Sequence, residues 1–214
     1  EAKDVLLKTS ELMKKQISNL ENYMAHCFHD IQEVLIASSD GIFARDIRLV
    51  NRMVTNSLAV EGSDRATISR TKGATSAPNL LEDFEIEKTV ASMAESSKNM
   101  LKADFAQSGD FPVILGNAFG GVIFHEACGH LLETTAVQKK SSPFTELKGQ
   151  QIAHDAVTAW DEGISKNEYG SIDMDDEGMP AQRTLLIENG ILKNFMADRS
   201  GALKTGHPRT GSGR

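Results

Sequence analysis

The first 27 residues carry an apolar stripe that repeats every seven residues: Leu6, Met13, Leu20 and Cys27. Lysine and glutamate residues occupy many of the positions between them. An apolar stripe with polar residues opposite is typical of an amphipathic helix that packs one face against a core. We therefore predict one long helix that reaches Cys27.

After this helix the pattern changes to shorter runs that favour β-strands. Strands are predicted over residues 32–38, 49–60 and 65–70, with a turn at Asp40-Gly41 and a loop over residues 71–79. Residues 86–101 return to helical spacing and predict a second amphipathic helix. Because short links favour antiparallel pairing, residues 1–108 are predicted to form an α+β domain that serves as a scaffold or interface.

Residues 109–214 are predicted to begin a second α+β region. The apolar run 111–116 predicts a buried strand that leads into an apolar helix around residues 122–132. Asn189-Gly190 separates the runs 183–188 and 191–196 and predicts a β-hairpin, since this dipeptide suits a tight type I′ turn. The glycine-rich tail, residues 204–214, is predicted to be a loop.

The apolar helix contains His125-Glu126 and, five residues after the first histidine, His130. Burying ionisable groups in such a run costs several kcal/mol unless they find partners. Neutral imidazoles are good zinc ligands, and a neighbouring carboxylate can take a proton from water that the metal activates. We predict His125 and His130 as metal ligands and Glu126 as a general base. The alternative is a buried helix with two hydrogen-bonded histidines.

The two histidines can bind the same metal ion only if the helix between them is irregular. Residues five apart on an α-helix diverge by roughly 140°, so their side chains point to different sides. The two rings can share one ion only if the helix contains an extra residue, as in a π-bulge. We expect that distortion at Gly129.

Three segments in one order resemble the TldD/PmbA family: residues 125–130, 172–180 and 187–193. The resemblance runs along nearly the whole chain, and the His-Glu-x-x-x-His sequence matches the metal-bearing, TldD-like members. It implies a zinc metallopeptidase that cleaves unfolded or short peptides and works with a PmbA-like subunit or as a homo-oligomer. Members of the family are also called modulators of DNA gyrase.

The resemblance also implies that the third zinc ligand is a cysteine beyond residue 214. These 214 residues are therefore expected to be a middle portion of the family chain, with an incomplete and inactive site. The alternative function is a non-catalytic protein that binds peptides or assembles with a partner, in which the motif helix is structural.

Composition narrows these possibilities. A net charge of -7 and a pI near 5.4 argue against direct nucleic-acid binding, which usually needs a basic surface. Two cysteines, Cys27 and Cys128, do not suggest a disulfide framework, so a reducing cytoplasm fits best. No apolar run approaches the 18 or more residues of a membrane span.

Three further features have competing interpretations. Cys128 is a conceivable nucleophile, which we disfavour because an apolar setting raises the pKa of a thiol. Glu133, three residues after His130, either orients that ligand or is a solvated helix residue, and we favour the latter. Residues 173–178 mimic the start of a calcium loop, but its twelfth position is Thr184, so we predict an exposed acidic turn.

Overall fold

A computed structural model describes residues 2–75, 84–165 and 167–214. Its internal contacts divide the chain into two compact units. Unit 1 comprises residues 1–32, 47–109 and 166–170, and unit 2 comprises residues 33–46, 110–165 and 171–214. None of the helices among the described residues has the length and hydropathy of a membrane span.

Unit 1 is built on a three-stranded sheet in the order β1-β2-β3. The strands are β1 (Leu20–Ala37), β2 (Phe43–Glu61) and β3 (Asp64–Ala74), and the tips of β1 and β2 near their connection belong to unit 2. Strands β2 and β3 run antiparallel, with Glu61 opposite Asp64. Two helices complete the unit, α1 (Ala2–Gln16) and α2 (Ile86–Met100).

The helices of unit 1 share a core with its sheet. Helix α2 contributes Ile86, Val90 and Met93, whose spacing places them on one helical face. They pack in one cluster with Met13 of α1 and Met53 of β2. Because each fully buried side chain of this size contributes about 1.5–3 kcal/mol, this cluster is the main source of stability for the unit. The predicted α+β class is confirmed.

The prediction of one long N-terminal helix is wrong in its second half. Helix α1 ends at Gln16, and Asn19 adopts a left-handed φ of 56° that turns the chain into β1. Within β1, Tyr23, Ala25 and Cys27 pack against the core in the two-residue alternation of a strand. The first half of the seven-residue repeat therefore belongs to a helix and the second half to a strand, and both pack against the same core.

Other predictions for this half fare better. The strand, turn and strand succession is confirmed, although the strands are longer than predicted. Helix α2 matches its prediction to within one residue at its end. The predicted loop 71–79 is wrong for residues 71–74, which belong to β3, and residues 76–79 lie outside the described part of the chain.

Unit 2 contains many short elements. Its helical segments are a 3-10 turn (Ala118–Gly120), α3 (Gly121–Phe124), a π-helix (His125–Gly129), a second 3-10 turn (His130–Leu132), α4 (Thr134–Val137) and α5 (Arg199–Thr205). A second three-stranded sheet consists of β4 (Ala159–Glu162), β5 (Arg183–Glu188) and β6 (Ile191–Leu192). The core packs helical residues against this sheet through Leu132, Val137, Leu186, Ile187, Leu192 and Phe195.

The predicted hairpin is confirmed. Strands β5 and β6 are antiparallel, and both turn residues are left-handed, Asn189 with a φ of 49° and Gly190 with a φ of 78°. A Cβ atom at Gly190 would lie 2.3 Å from the carbonyl oxygen of Ala153, so this position requires glycine for space as well as for φ. The second strand ends at Leu192, earlier than predicted.

The predicted buried strand over residues 111–116 is wrong. The segment has no regular secondary structure, and the side chains of Val113 and Ile114 are 74% and 98% exposed. A continuous apolar run forms a strand when both of its faces are covered, and nothing in the described part of the chain covers this one. The glycine-rich tail does lack helix and strand from Gly206 onward, as predicted, while Lys204 and Thr205 belong to α5.

Candidate metal centre

The His-Glu-x-x-x-His segment does not form a regular α-helix. Helix α3 passes into the π-helix at His125, and the backbone N–H of His130 donates to the carbonyl oxygen of His125, five residues earlier. This wider turn places His130 above His125, as the sequence required if the two rings were to meet. Gly129 lies within the π-helix, but glycine is not required there: its φ is -54°, and a Cβ atom would lie at an ordinary contact distance of 3.8 Å from the carbonyl oxygen of Phe124.

The π-helix brings the three predicted site residues together. The rings of His125 and His130 are 4.4 Å apart between centroids and nearly perpendicular. Glu126 Oε2 lies 3.8 Å from His130 Nε2. One potential ligand atom from each of the three side chains lies within 4.8 Å of the other two.

All three side chains are exposed, which contradicts the expectation of a buried motif. The apolar residues just before them are also open to solvent, with Ile123 55% exposed. Leu132 is the first large apolar side chain of the run that is fully buried, because it reaches the core of unit 2. The cost of burial therefore gives no argument for a metal, and the case depends on geometry and donor chemistry.

The donor set fits a zinc ion. Zinc–nitrogen bonds measure about 2.0–2.1 Å, so two ligand atoms of one ion lie within about 4.2 Å of each other. The potential ligand atoms of the three side chains lie within 4.8 Å of one another, which is slightly wider than this limit. Because the side chains are exposed, they can rotate to bring these atoms closer together. Imidazole nitrogens are common ligands of zinc, whereas calcium and magnesium bind mainly oxygen ligands.

Glu133 is not the solvated helix residue that the sequence suggested. Its backbone is extended, with φ -81° and ψ 137°, and separates the second 3-10 turn from α4. Its Oε1 lies 2.7 Å from His130 Nδ1, and its Oε2 accepts a 3.1 Å hydrogen bond from Thr135 Oγ1. The i+3 spacing hinted at the first contact, whereas nothing in the sequence pointed to Thr135.

Cys128 faces away from this chemistry. Its side chain packs against the core of unit 2, and burial raises the pKa of its thiol. A thiol that remains protonated is a poor nucleophile and a poor metal ligand, because both roles require the thiolate. The contacts of Cys128 therefore favour a packing role.

A cavity of about 480 Å³ opens beside Glu133 in unit 2. Carboxylates from four separate segments line it, together with polar and backbone groups: Glu133, Thr134, Thr135, Asp161, Glu177, Met196, Asp198, Ser212, Gly213 and Arg214. Burial raises the pKa of the Asp161 carboxyl. The volume is in the range of small-molecule sites, so one or two amino-acid residues of a peptide would fit.

The acidic turn that resembles a calcium loop is not the exposed turn that we predicted. Asp175 is fully buried, and its carboxylate accepts hydrogen bonds from the backbone N–H groups of Glu177, Met179 and Gly213. Arg209 donates to Glu177 Oε2 at 3.0 Å. Because these backbone donors hold the Asp175 carboxylate inside the protein, the turn is a structural element that fixes the residues on one side of the cavity.

Sequence comparison agrees with the architecture and the motif. The profile described as the PmbA/TldA metallopeptidase central domain matches residues 1–101, and the profile for the C-terminal domain of that group matches residues 108–214. The chain therefore belongs to the PmbA/TldD family of metallopeptidase-type proteins.

Individual relatives support the assignment. A protein of Buchnera aphidicola subsp. Acyrthosiphon pisum named metalloprotease TldD homolog is 32% identical over all of this chain and 46% of its own length. A protein of Saccharolobus solfataricus named zinc metalloprotease TldD homolog is 32% identical over 63% of this chain and 30% of its own length. The chain thus spans about half the length, or less, of these curated relatives.

Solved structures share the fold. A Thermotoga maritima protein described as a candidate modulator of a DNA gyrase superposes with a TM-score of 0.75 and 23% identity, over 99% of this chain and 48% of its own. TldE from Thermococcus kodakarensis superposes with a TM-score of 0.68 and 18% identity, over the same shares. At this identity the likeness concerns the fold alone.

Proposed function

We propose that the protein containing this chain is a zinc-dependent peptidase of the TldD type. The observation that carries the proposal is the π-helical turn, which gathers His125 and His130 beside the Glu126 carboxylate. The name of the Saccharolobus solfataricus relative supports zinc as the metal. Following the family resemblance, we assign the third ligand to a cysteine that follows residue 214.

Each residue has a definite task in this proposal. His125 and His130 hold the zinc, which when bound supplies the Lewis acidity that activates water and polarises the scissile carbonyl. Glu126 accepts a proton from the attacking water and delivers it to the leaving amine. Its side chain is 64% exposed, so the carboxylate is accessible to water and to a substrate.

The substrate in this proposal is an unfolded or short peptide. The cavity beside Glu133 is large enough for the residues next to the cleaved bond.

From the resemblance we also propose that the protein works as an oligomer, either with itself or with a PmbA-like subunit. Light scattering on the full-length protein tests this, and a monomer at micromolar concentration, alone and with that subunit, contradicts it.

Metal analysis of the full-length protein tests the proposed function. We expect one zinc per site, removal by a chelator with loss of peptide cleavage, and recovery of both on adding zinc. His125→Ala and His130→Ala should each lose the metal. His154→Ala is the matched control, because His154 is an exposed histidine of unit 2 that lies outside the cluster. Peptide binding without cleavage and without stoichiometric metal would instead indicate the non-catalytic alternative.

Residues 1–214 alone are expected to bind zinc weakly and not to cleave peptides. Two imidazoles leave the coordination shell incomplete, and zinc affinity depends on a full set of ligands. Zinc titration of this stretch by calorimetry tests the point. Tight one-to-one binding that His130→Ala abolishes would show that the third ligand lies within these residues.

A further inference from the structure

The hydrogen bond between His130 and Glu133 determines which nitrogen of the ring carries the proton. A carboxylate can only accept, so the 2.7 Å contact between Glu133 Oε1 and His130 Nδ1 requires a proton on Nδ1. The lone pair of the neutral ring is then on Nε2. Nε2 is also the atom that lies 3.8 Å from Glu126 Oε2, on the side of the proposed metal.

We propose that Glu133 is a positioning residue that holds His130 in its Nδ1–H tautomer and presents Nε2 to the zinc. The inference deepens the proposed function and rests on it for the identity of the metal. Carboxylates that accept from the second nitrogen of a ligating histidine fix both its tautomer and its ring orientation.

The position of Glu133 is set by the core of unit 2. The flanking residues Leu132 and Thr134 are 0% and 1% exposed. A bridge to Met196 secures both neighbours: Thr134 N donates to Met196 O at 2.8 Å, and Met196 N donates to Leu132 O at 2.9 Å. The Glu133 backbone is therefore held in place before its side chain makes any contact.

The side chain is held as well. Glu133 stands at the N-cap position of α4, yet its carboxylate does not cap that helix. One oxygen accepts from His130 and the other from Thr135 Oγ1 at 3.1 Å. Two contacts to different oxygens fix the plane of the carboxylate, and this plane in turn fixes the His130 ring.

The tautomer can be read directly by NMR. We would label the histidines of the full-length, metal-free protein with nitrogen-15 and assign His130 by comparison with His130→Gln. The parent and Glu133→Gln should show the proton on Nδ1, because the amide oxygen of glutamine can also accept. In Glu133→Ala the proton should move largely to Nε2. A parent ring protonated on Nε2, or a Glu133→Ala spectrum like the parent, overturns the inference.

Zinc affinity provides the second readout. Removing such a partner typically weakens metal binding about 10–100-fold, which we expect for Glu133→Ala. Glu133→Gln should fall between this variant and the parent, and Thr135→Val should show a smaller loss. Glu146→Ala is the control, because Glu146 is an exposed glutamate of unit 2 outside the metal cluster. Parental affinity in Glu133→Ala contradicts the inference.

The two proposals fail in different ways. If zinc remains bound after His130 is replaced, the proposed metal site is wrong, while the NMR spectra still decide the tautomer. If His130→Ala loses zinc but Glu133→Ala and Glu133→Gln bind it like the parent, the site stands and Glu133 has no positioning role. Circular dichroism of each variant verifies that the protein remains folded.

Discussion

Asp175 and Glu126 belong to the same unit, but their carboxylates have opposite surroundings. The Asp175 side chain has no exposed surface and accepts three backbone N–H groups at 2.9 to 3.1 Å. The Glu126 side chain is 64% exposed, and its Oε2 atom lies 3.8 Å from Nε2 of the His130 ring. The Asp175 carboxylate ties its own turn to the segment that contains Gly213, whereas the Glu126 carboxylate is accessible to a substrate.

Burial and hydrogen bonding thus distinguish a carboxylate that supports the fold from one that can take part in a reaction. A buried carboxylate with a full set of backbone donors is costly to replace, since each donor left unpaired costs about 1–3 kcal/mol. An exposed carboxylate contributes little to stability, so replacing it should affect only what it reacts with. Replacing Asp175 should therefore lower the stability of the protein, whereas replacing Glu126 should lower its peptide cleavage.

Asp175→Ala should give the largest loss of stability. Three partly buried backbone donors lose their acceptor, so we expect the free energy of unfolding to fall by about 3 kcal/mol or more. Thermal and urea unfolding of the full-length protein measure the change. The matched control is Asp173→Ala, because Asp173 is an exposed carboxylate in the same turn. An Asp175→Ala protein as stable as this control would remove the distinction.

Gly190→Ala tests a structural position that carries no charge. A left-handed φ of 78° and a Cβ atom 2.3 Å from Ala153 O should together cost about 2–3 kcal/mol in the free energy of unfolding. Gly206 has a similar φ of 75° and open space around a Cβ atom, so Gly206→Ala measures the φ cost alone. Equal losses of stability in the two variants would mean that the close contacts of a Cβ atom at position 190 add no cost.

Asp161→Asn should have the smallest effect, and of opposite sign. Burial raises the pKa of Asp161, so its charged form is less favourable in the folded than in the unfolded protein. This unfavourable contribution is present above the raised pKa and disappears as the pH falls through it. The variant should thus be slightly more stable than the parent near pH 7, by less than about 1 kcal/mol, and lose that advantage near pH 4. Melting temperatures at both pH values measure this, and an advantage that grows in acid contradicts it.

The local parts of the fold followed from local signals. Asn189-Gly190 predicted its turn because the required backbone angles depend on two residues, and the spacing in α2 predicted its buried face. The prediction of one long N-terminal helix failed because Leu20 and Cys27 fit a helical stripe and a strand equally well. The chain leaves the helical path at Asn19, whose φ is left-handed.

The site was predictable in its geometry but not in its surroundings. At the spacing of His125 and His130, a shared metal ion would require a π-helix, and the chain has one there. Exposure of the motif could not be predicted, because burial depends on which distant segments cover a run. The same is true of Glu133, whose position depends on a bridge to Met196, and of Asp175, which accepts from Gly213. Such contacts between distant segments have no signature in a single sequence.

The comparison of Glu126→Gln with the parent tests the central claim most directly. In the full-length protein, glutamine keeps the shape of the side chain but cannot accept the proton, so peptide cleavage should fall by about 100- to 10,000-fold. Zinc content and melting temperature should match the parent, because Glu126 is exposed and is not one of the proposed ligands. Cleavage within a few-fold of the parent, at full zinc content, would contradict the account.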